Sequence, residues 1–591
     1  MTFYFLKLIS LLGGLALFLF GMDTMGQSLE RTAGGKLQTI LAKMSSNVPK
    51  GFLLGLAVTA VIQSSSATTV MVVGFVNSGI LTLKQAVGVI MGSNVGTTVT
   101  AWILSLSGLE GDGLLVQLFK PTTLAPLLGS VGIVLYMFTN SEKKKNIGGI
   151  LLGFMALMTG MELMSGSMEF LKDEAWFVRM MVSFSNPLVG ILVGAALTAI
   201  IQSSSASVGI LQSLCVTGIV TYGCAIPVIL GQNIGTCVTA MMGAIGANKN
   251  ARRAAMVHLY FNIIGSLLFV LVFYGIGLFH PWDFLGDTCS EMNIAVIHTS
   301  FNVCVTALLL PMNGLLVKLA TLSVPDGKQE EKPVLLDERL LATPAVAIQR
   351  SQDIATRMAE DSAQAMRLAM GLIQKFDRKS LDRVLELENN TDRYEDALGT
   401  YLVQLSSRSL SVADSRILNT LLYTISDVER IADHAVNVGK AALEMEEKKI
   451  VFSQQAQGEL EVLERAISDI LGRTVEAYRS FDRELARKVE PQEQVVDALV
   501  REIKSRHIRR LRDGRCSVEY GFVLEDLLTA FERSADHCSN VAVEILQVSE
   551  GKLEAHEYLN SLKAGELQES AAFAEEYARY QARYAFPEDQ K

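Results

Sequence analysis

The stretch "TAVIQSSSATT" occupies 59–69, and "TAIIQSSSASV" occupies 198–208. Each sets a Gln and three Ser into an otherwise apolar run, and the copies stand 139 residues apart. The apolar run before the first block, "GFLLGLAVTAVI" (51–62), has 12 residues. At 1.5 Å per residue it reaches roughly 18 Å, about half of a ~30 Å hydrocarbon core. The pattern predicts a re-entrant helical hairpin over 51–79 with a polar tip near the midplane, and a second over 187–220.

The same offset relates other positions. Gly21-Met22-Asp23 matches Gly160-Met161-Glu162, and "GSNVGTT" (92–98) matches "GQNIGTC" (231–237). Apolar length places full spans at 3–22, 85–107, 121–138, 146–166, 225–246, 254–279 and 292–318. Three full spans separate the starts of the two repeats, about 10–138 and 146–279, so the copies insert in opposite directions. Inverted repeats with broken helices are the signature of a secondary transporter. The fold class expected is all-α: a polytopic membrane transporter with inverted-topology repeats and two re-entrant hairpins, followed by a soluble helical domain.

Charge divides the chain. Residues 1–322 hold 16 Lys/Arg and 12 Asp/Glu, and 323–591 hold 36 and 49. A membrane domain of about 1–322 and an acidic soluble domain of 335–591 follow, joined by a linker, "SVPDGKQEEKP", near 323–334. The seven cysteines have no C-x-x-C spacing, which argues against a disulfide framework or zinc site. The acidic domain argues against nucleic acid as a partner. Residues 4–22 lack a basic leader and cleavage site and read as a retained span.

Loop charge sets the orientation. With the soluble domain inside, inward loops carry Arg31, Lys36, Lys43, Lys50, Lys84, Lys143, Lys144, Lys145, Lys249, Arg252 and Arg253. Outward loops carry only Lys120, Lys172 and Arg179. This obeys the positive-inside rule and puts the N-terminus outside.

Polar groups at membrane depth must be buried in protein or line a wet cavity. Serines at each tip cap the second half-helix, and its spare N–H groups make an anion site. The candidate anion ligands are Gln63, Ser64, Ser65 and Ser66 with Gln202, Ser203, Ser204 and Ser205. In the following segments, Gly92, Gly96, Gly231 and Gly235 are expected to let the helix unwind. Asn94, Thr97, Thr98, Asn233 and Thr236 then add oxygens suited to a hard cation such as sodium. No Lys or Arg lies in these motifs, so a bound cation supplies the positive charge and favours cotransport. Asp23 and Glu162, near span ends, read as solvated or interfacial rather than as part of an ion path. "HLYFN" (258–262) and "HTSFN" (298–302) read first as interhelical hydrogen bonding by His258 and His298.

"QSSSATT…GSNVGTT" and "QSSSASV…GQNIGTC…ARRAAMVHLYFN" resemble the two repeats of the type II sodium–phosphate cotransporter family over about 10–320. In that family the hairpins and the Asn/Thr segments form the phosphate and sodium sites. The resemblance implies phosphate at the eight tip residues. It implies sodium at Gln63, Ser66, Asn94, Thr97, Thr98, Gln202, Ser205, Asn233 and Thr236. Cys237 departs from the motif. Leu259 stands where electrogenic animal members have Asp, which leans towards an electroneutral cycle or a different sodium count.

Residues 335–591 read as long amphipathic helices with a second internal repeat, about 345–450 and 455–560. "SDVERIADHAVNV" (426–438) pairs with "TAFERSADHCSNV" (529–541), and "ENNTD" (388–392) with "EQVVD" (493–497). Spacing of i, i+4 puts both acids of each pair on one helix face. The acids beside Arg393, Arg430 and Arg533 also fit ordinary surface salt bridges. The pattern resembles the PhoU-like fold of two three-helix bundles. Metal binding is implied at Glu388, Asp392, Glu429, Asp433, Glu493, Asp497, Glu532 and Asp536, oriented by His434, His537, Asn437 and Asn540. Oxygen ligands suit Mg²⁺, Mn²⁺ or iron.

The expectation is a sodium-coupled phosphate transporter of the bacterial cytoplasmic membrane with a cytosolic regulatory domain. The alternative is a membrane-anchored phosphate sensor with little net flux. Partners are phosphate, sodium and membrane lipid, with room for a homodimer and a cytosolic regulatory partner. An enzyme is not expected, because no glycine loop ends in Gly-Lys-Ser/Thr and no nucleophile–base set is present.

Overall fold

The computed structural model describes residues 2–33, 47–108, 117–118, 120–325, 336–408, 410–550 and 571–586. These are helical apart from their connections and one isolated bridge, Thr221 to Thr288. The chain forms two compact units, Met1–Thr343 and Pro344–Lys591.

In the first unit the helices are α1 (Thr2–Ala33), α2 (Val48–Ile62), α3 (Ser65–Asn77), α4 (Leu83–Ser105), α5 (Pro121–Met137), α6 (Glu142–Met168) and α7 (Ala175–Phe184). They continue with α8 (Pro187–Ile201), α9 (Ser204–Leu214), α10 (Tyr222–Gly243), α11 (Lys249–Phe279), α12 (Glu291–Leu309) and α13 (Asn313–Ser323). Six helices are long and apolar enough to cross a membrane, and α7 and α8 are bent against each other by 104°. The apolar run 292–318, expected as one span, is broken between α12 and α13. Pro311 sits in the break, where its missing N–H and ring oppose a continuous helix.

The two hairpins are built alike. α2 ends and α3 begins at Gln63–Ser64; α8 ends and α9 begins at Gln202–Ser203. Across the first break the Thr59 hydroxyl donates to the Thr68 hydroxyl at 3.1 Å. In a straight helix those residues stand about 13 Å apart along the axis, so α3 folds back beside α2.

The repeat symmetry is visible where α1 crosses α6. A Cβ on Gly14 would lie 3.0 Å from the Gly160 carbonyl, and one on Gly21 would lie 2.7 Å from the Gly153 carbonyl. Gly153 and Gly160 are the repeat mates of Gly14 and Gly21. Residue i therefore meets the mate of j while j meets the mate of i, the rule of a two-fold contact. The pseudo-two-fold axis passes through this crossing, where small residues let the backbones approach.

Residues 336–343 pack with the first unit. Asp337 is buried and accepts from Asn77 Nδ2 at 2.6 Å at the end of α3. The Arg339 guanidinium holds Asp337 at 3.0 Å and donates to the carbonyls of Gly243 and Ile245 beyond α10. Those carbonyls are among the orphan acceptors of a helix end. Asn77 also ties down Asn248 through its Oδ1 and its own carbonyl.

The second unit contains α14 (Pro344–Gln374), α15 (Arg378–Ser406), α16 (Val412–Lys448), α17 (Gln454–Ser480), α18 (Arg483–Ala486), α19 (Val489–Arg512), α20 (Val518–Glu550) and α21 (Ala571–Arg583). α14, α15 and α16 pack together, α17, α19 and α20 pack together, and α16 lies against α20. Leu418, Leu421, Ile425, Val428, Ala432 and Ala435 form the buried stripe of α16, at the 3–4 spacing of an amphipathic helix. α17 and α19 share a buried bidentate pair, with both Arg510 guanidinium nitrogens 2.8 Å from Glu459.

Candidate functional site

Gln63 and Gln202 adopt left-handed backbone, φ 61° and φ 60°. For residues with a Cβ this costs roughly 1–3 kcal/mol each. The conformation ends the first half-helix and turns the chain so that the next serine caps the second. Ser64 accepts from the Ala67 N–H at 3.2 Å, and Ser203 accepts from the Ala206 N–H at 3.2 Å. The N–H groups of the first turn of α3 and α9 have no intrahelical acceptor.

The tips meet. Ser66 Oγ reaches the Gln202 carbonyl at 3.5 Å. Together they line one cavity of about 350 Å³ whose walls include Gln63 to Ser66 and Gln202 to Ser205. All eight candidate anion ligands are therefore gathered. Ser65, Ser204 and Ser205 are buried. Three further polar groups come from α1: Asp23, Gln27 and Glu30. Asp23 is exposed and also stands on the cavity wall. Its mate Glu162 is exposed away from it.

The Asn/Thr segments are elsewhere. Asn94, Thr97, Thr98, Asn233 and Thr236 are buried in α4 and α10, off the cavity wall. Both helices run unbroken through them, which corrects the expected unwinding. The glycines serve close packing: a Cβ on Gly92 would fall 2.0 Å from the Phe52 carbonyl, and one on Gly231 2.0 Å from the Ile191 carbonyl. The threonine hydroxyls donate to carbonyls of their own helices, Thr97 to Ser93, Thr98 to Val95 and Thr236 to Gln232.

The side-chain oxygens of Asn94 and Asn233 join these helices to the two His–Asn echoes. His258 Nε2 lies 3.3 Å from Asn94 Oδ1, and Asn302 Nδ2 donates to Asn233 Oδ1 at 3.3 Å. Asn262 Nδ2 donates to Cys237 Sγ at 3.3 Å, which gives that departure from the motif a partner. Asn262 Oδ1, Asn302 Oδ1, Thr198 Oγ1 and Gln232 Oε1 are buried without a hydrogen-bond partner among the described residues. Buried oxygens left unpaired are costly and fit a cation ligand shell.

In the second unit Glu493, Asp497 and Asp536 bring ligand oxygens within 4.8 Å of one another. Asp497 Oδ1 is buried with no hydrogen-bond partner among the described residues, as a metal-ligating oxygen would be. Burial, with Glu490, Asp497 and Asp536 nearby, pushes the Glu493 carboxyl far above the usual range. Glu490, three residues earlier on the same helix, escaped the sequence reading. Glu532 instead faces Lys504 at 3.8 Å. In the first half, burial and the carboxylates of Asp433, Glu395 and Asp392 raise Glu429 to about 7. Burial and the same Asp433 and Asp392 raise Glu388. Arg430 lies 3.9 Å from Glu429 and 4.0 Å from Asp433, both long contacts.

His537 and Asn540, expected to orient the acid pairs, both bond to Asp427 Oδ1, at 2.7 Å and 3.0 Å. His434 stacks on His537 with ring centroids 5.5 Å apart. Asp427 could be found only by knowing that α16 faces α20.

Comparison with known proteins now bears on this geometry. Residues 17–166 and 157–280 match the Na+/Pi-cotransporter model, and 355–442 and 460–545 match the PhoU domain. The uncharacterized Bacillus subtilis protein YqeW is 33% identical over 325 residues, 54% of this chain and 99% of its own. The chain belongs to the Na+/Pi-cotransporter family.

The chain is also similar to other proteins. YjbB of Salmonella typhimurium, named for inorganic phosphate export, is 24% identical over 94% of this chain and 100% of its own. The human sodium-dependent phosphate transport protein 2B is 23% identical over 44% of this chain and 58% of its own length. PhoU from Streptococcus pneumoniae superposes with TM-score 0.32 at 16% identity, over 36% of this chain and 99% of that one. The Na+/Pi-cotransporter match falls in the unit that holds the hairpins, and the PhoU match in the unit that holds the acid pairs.

Proposed function

We propose that this chain moves inorganic phosphate across the cytoplasmic membrane together with sodium, by alternating access around the two hairpins. The observation that carries the reading is the shared cavity of the two tips. Serine hydroxyls, glutamine amides and two helix N-termini supply the donors a tetrahedral oxyanion needs. Phosphate is assigned to Gln63, Ser64, Ser65, Ser66, Gln202, Ser203, Ser204 and Ser205. Sodium is assigned to the buried oxygens around Asn94, Thr97, Thr98, Asn233 and Thr236, now with Asn262 and Asn302, and to Gln63, Ser66, Gln202 and Ser205 at the tips. Each cation offsets charge that the cavity, having no basic wall residue among those described, leaves open.

The soluble unit is read as cytosolic and regulatory. Glu493, Asp497 and Asp536 would hold an Mg²⁺, Mn²⁺ or iron ion, and Glu388, Asp392, Glu429, Asp433 and Glu532 complete the candidate set. An oxygen-only shell supports these hard cations.

The test is labelled-phosphate flux in proteoliposomes with and without a sodium gradient at fixed membrane potential. One full-length relative carries export in its name, so the gradient is imposed in both directions. Accumulation that follows sodium supports the cotransporter. Phosphate binding without flux replaces it with the sensor.

A further inference from the structure

The cavity has acidic walls as well as donor walls. Asp23, Gln27 and Glu30 line it from α1. Their 4- and 3-residue spacing stacks them on one helix face. Gly26 on the same helix brings α1 against the hairpin, because a Cβ there would lie 3.2 Å from the Ile62 carbonyl, one residue before Gln63. Gln27 donates to Asp23 at 2.8 Å. The buried Ser65, Ser204 and Ser205 line the same cavity.

A carboxylate accepts hydrogen bonds and cannot donate them. The oxygens of a fully deprotonated oxyanion also only accept. Bringing the two together sets like charges side by side with no proton between them. An oxyanion that keeps a proton removes the conflict, because its O–H donates to the carboxylate while its other oxygens accept from the serines. Phosphate and arsenate keep such a proton at neutral pH; sulfate does not. We propose that Asp23 and Glu30 are specificity residues that select a protonated tetrahedral oxyanion against sulfate. The proposal rests on the phosphate reading of the cavity and names the form of the substrate.

The experiment is binding of labelled phosphate to the purified full-length protein in sodium, with arsenate or sulfate as competitor. In the wild type, arsenate competes and sulfate at about 100-fold excess does not. Asp23→Asn and Glu30→Gln replace an acceptor with a donor. Each is expected to weaken phosphate about 10-fold or more and let sulfate compete, as expected when a built hydrogen bond decides between analogues. Asp23→Glu and Glu30→Asp keep the carboxylate and are expected to keep the preference, which separates specificity from misfolding. A phosphate-to-sulfate ratio unchanged in both amide variants overturns the proposal while the phosphate site stands. So does free competition by sulfate in the wild type. A wild type that binds neither anion removes the phosphate reading and this proposal with it.

Discussion

The Thr100 hydroxyl donates to Gln63 Oε1 at 2.9 Å, and Gln63 is buried. Its mate Gln202, with nearly the same backbone φ, is exposed at the other tip. The repeats share a backbone and differ in where it places the glutamine. Gln63→Ala and Gln202→Ala are each expected to abolish flux while the protein still inserts. Only Gln63→Ala also lowers stability, by roughly 1–3 kcal/mol, because it leaves Thr100 unpaired in a buried setting. Flux and thermal melting on the same preparations check both halves; normal flux in either variant ends the site assignment.

The glycine crossing makes a sharper stability prediction. A Cβ on Gly21 would lie 2.2 Å from the Leu157 backbone nitrogen, whereas Gly13 has open space around it. Gly21→Ala is expected to cost about 1–3 kcal/mol by overpacking. Gly13→Ala is expected to be neutral or slightly stabilising, since Ala has the higher helix propensity. Equal melting temperatures for the two variants would contradict the crossing.

Asp337 stands between Asn77 and Arg339 with 3% of its surface exposed. Asp337→Ala leaves the Asn77 amide without this acceptor, while Arg339 keeps the Gly243 and Ile245 carbonyls. Hydrogen exchange over residues 70–78 should speed up by about 5- to 150-fold, the effect of a loss of roughly 1–3 kcal/mol. Unchanged exchange would mean that 336–343 does not hold the end of α3.

The Glu459–Arg510 pair is buried on both sides. Arg510→Ala takes the bidentate partner from a buried carboxylate, leaving Arg506 at 3.9 Å, and is expected to destabilise the second unit by up to about 3–5 kcal/mol. Replacing both by Met and Leu should recover most of that, because the stranded charge is the main cost. Denaturant titration followed by a probe in α17 measures it.

Acid pairs give the second unit a pH dependence with a definite sign. Glu429 titrates near 7 in the folded chain against an ordinary 4.5, and Glu493 is raised further. The folded state therefore binds more protons than the unfolded one across that interval. Stability is present below about pH 4.5 and is lost as pH rises through about 7. With metal chelated, the second unit should melt lower at about pH 8 than at about pH 5, and Glu429→Gln should flatten the slope. Added Mn²⁺ should raise the melt at about pH 8, since it binds the deprotonated acids.

The hairpins were legible because Gln-Ser-Ser-Ser is a polar block with one physical use in an apolar run, and it occurs twice. The glycine motifs were not, because one helix read alone does not say whether a missing Cβ serves unwinding or a neighbour's carbonyl. The partner, Phe52 for Gly92, lies 40 residues away. Asp23 and Glu162 look alike in sequence, yet only Asp23 meets the cavity. That difference belongs to the conformation rather than to the repeat. Asp427 stayed hidden because its partners come from the other half of its unit. The break at Pro311 was signalled by the residue itself and was passed over inside an apolar run.

The crossing at Gly14 and Gly21 has a consequence for how this sequence can drift. If the two halves exchange conformations, Gln202 takes the enclosed seat, Gln63 the open one, and Glu162 and Glu169 arrive where Asp23 and Glu30 now stand. Each repeat position then answers to two environments in a single cycle. A substitution must be tolerable in both, while one in 336–343, which has no copy, is judged only once. Paired positions should therefore accept fewer residue types in a saturation scan than singly occurring ones of equal burial.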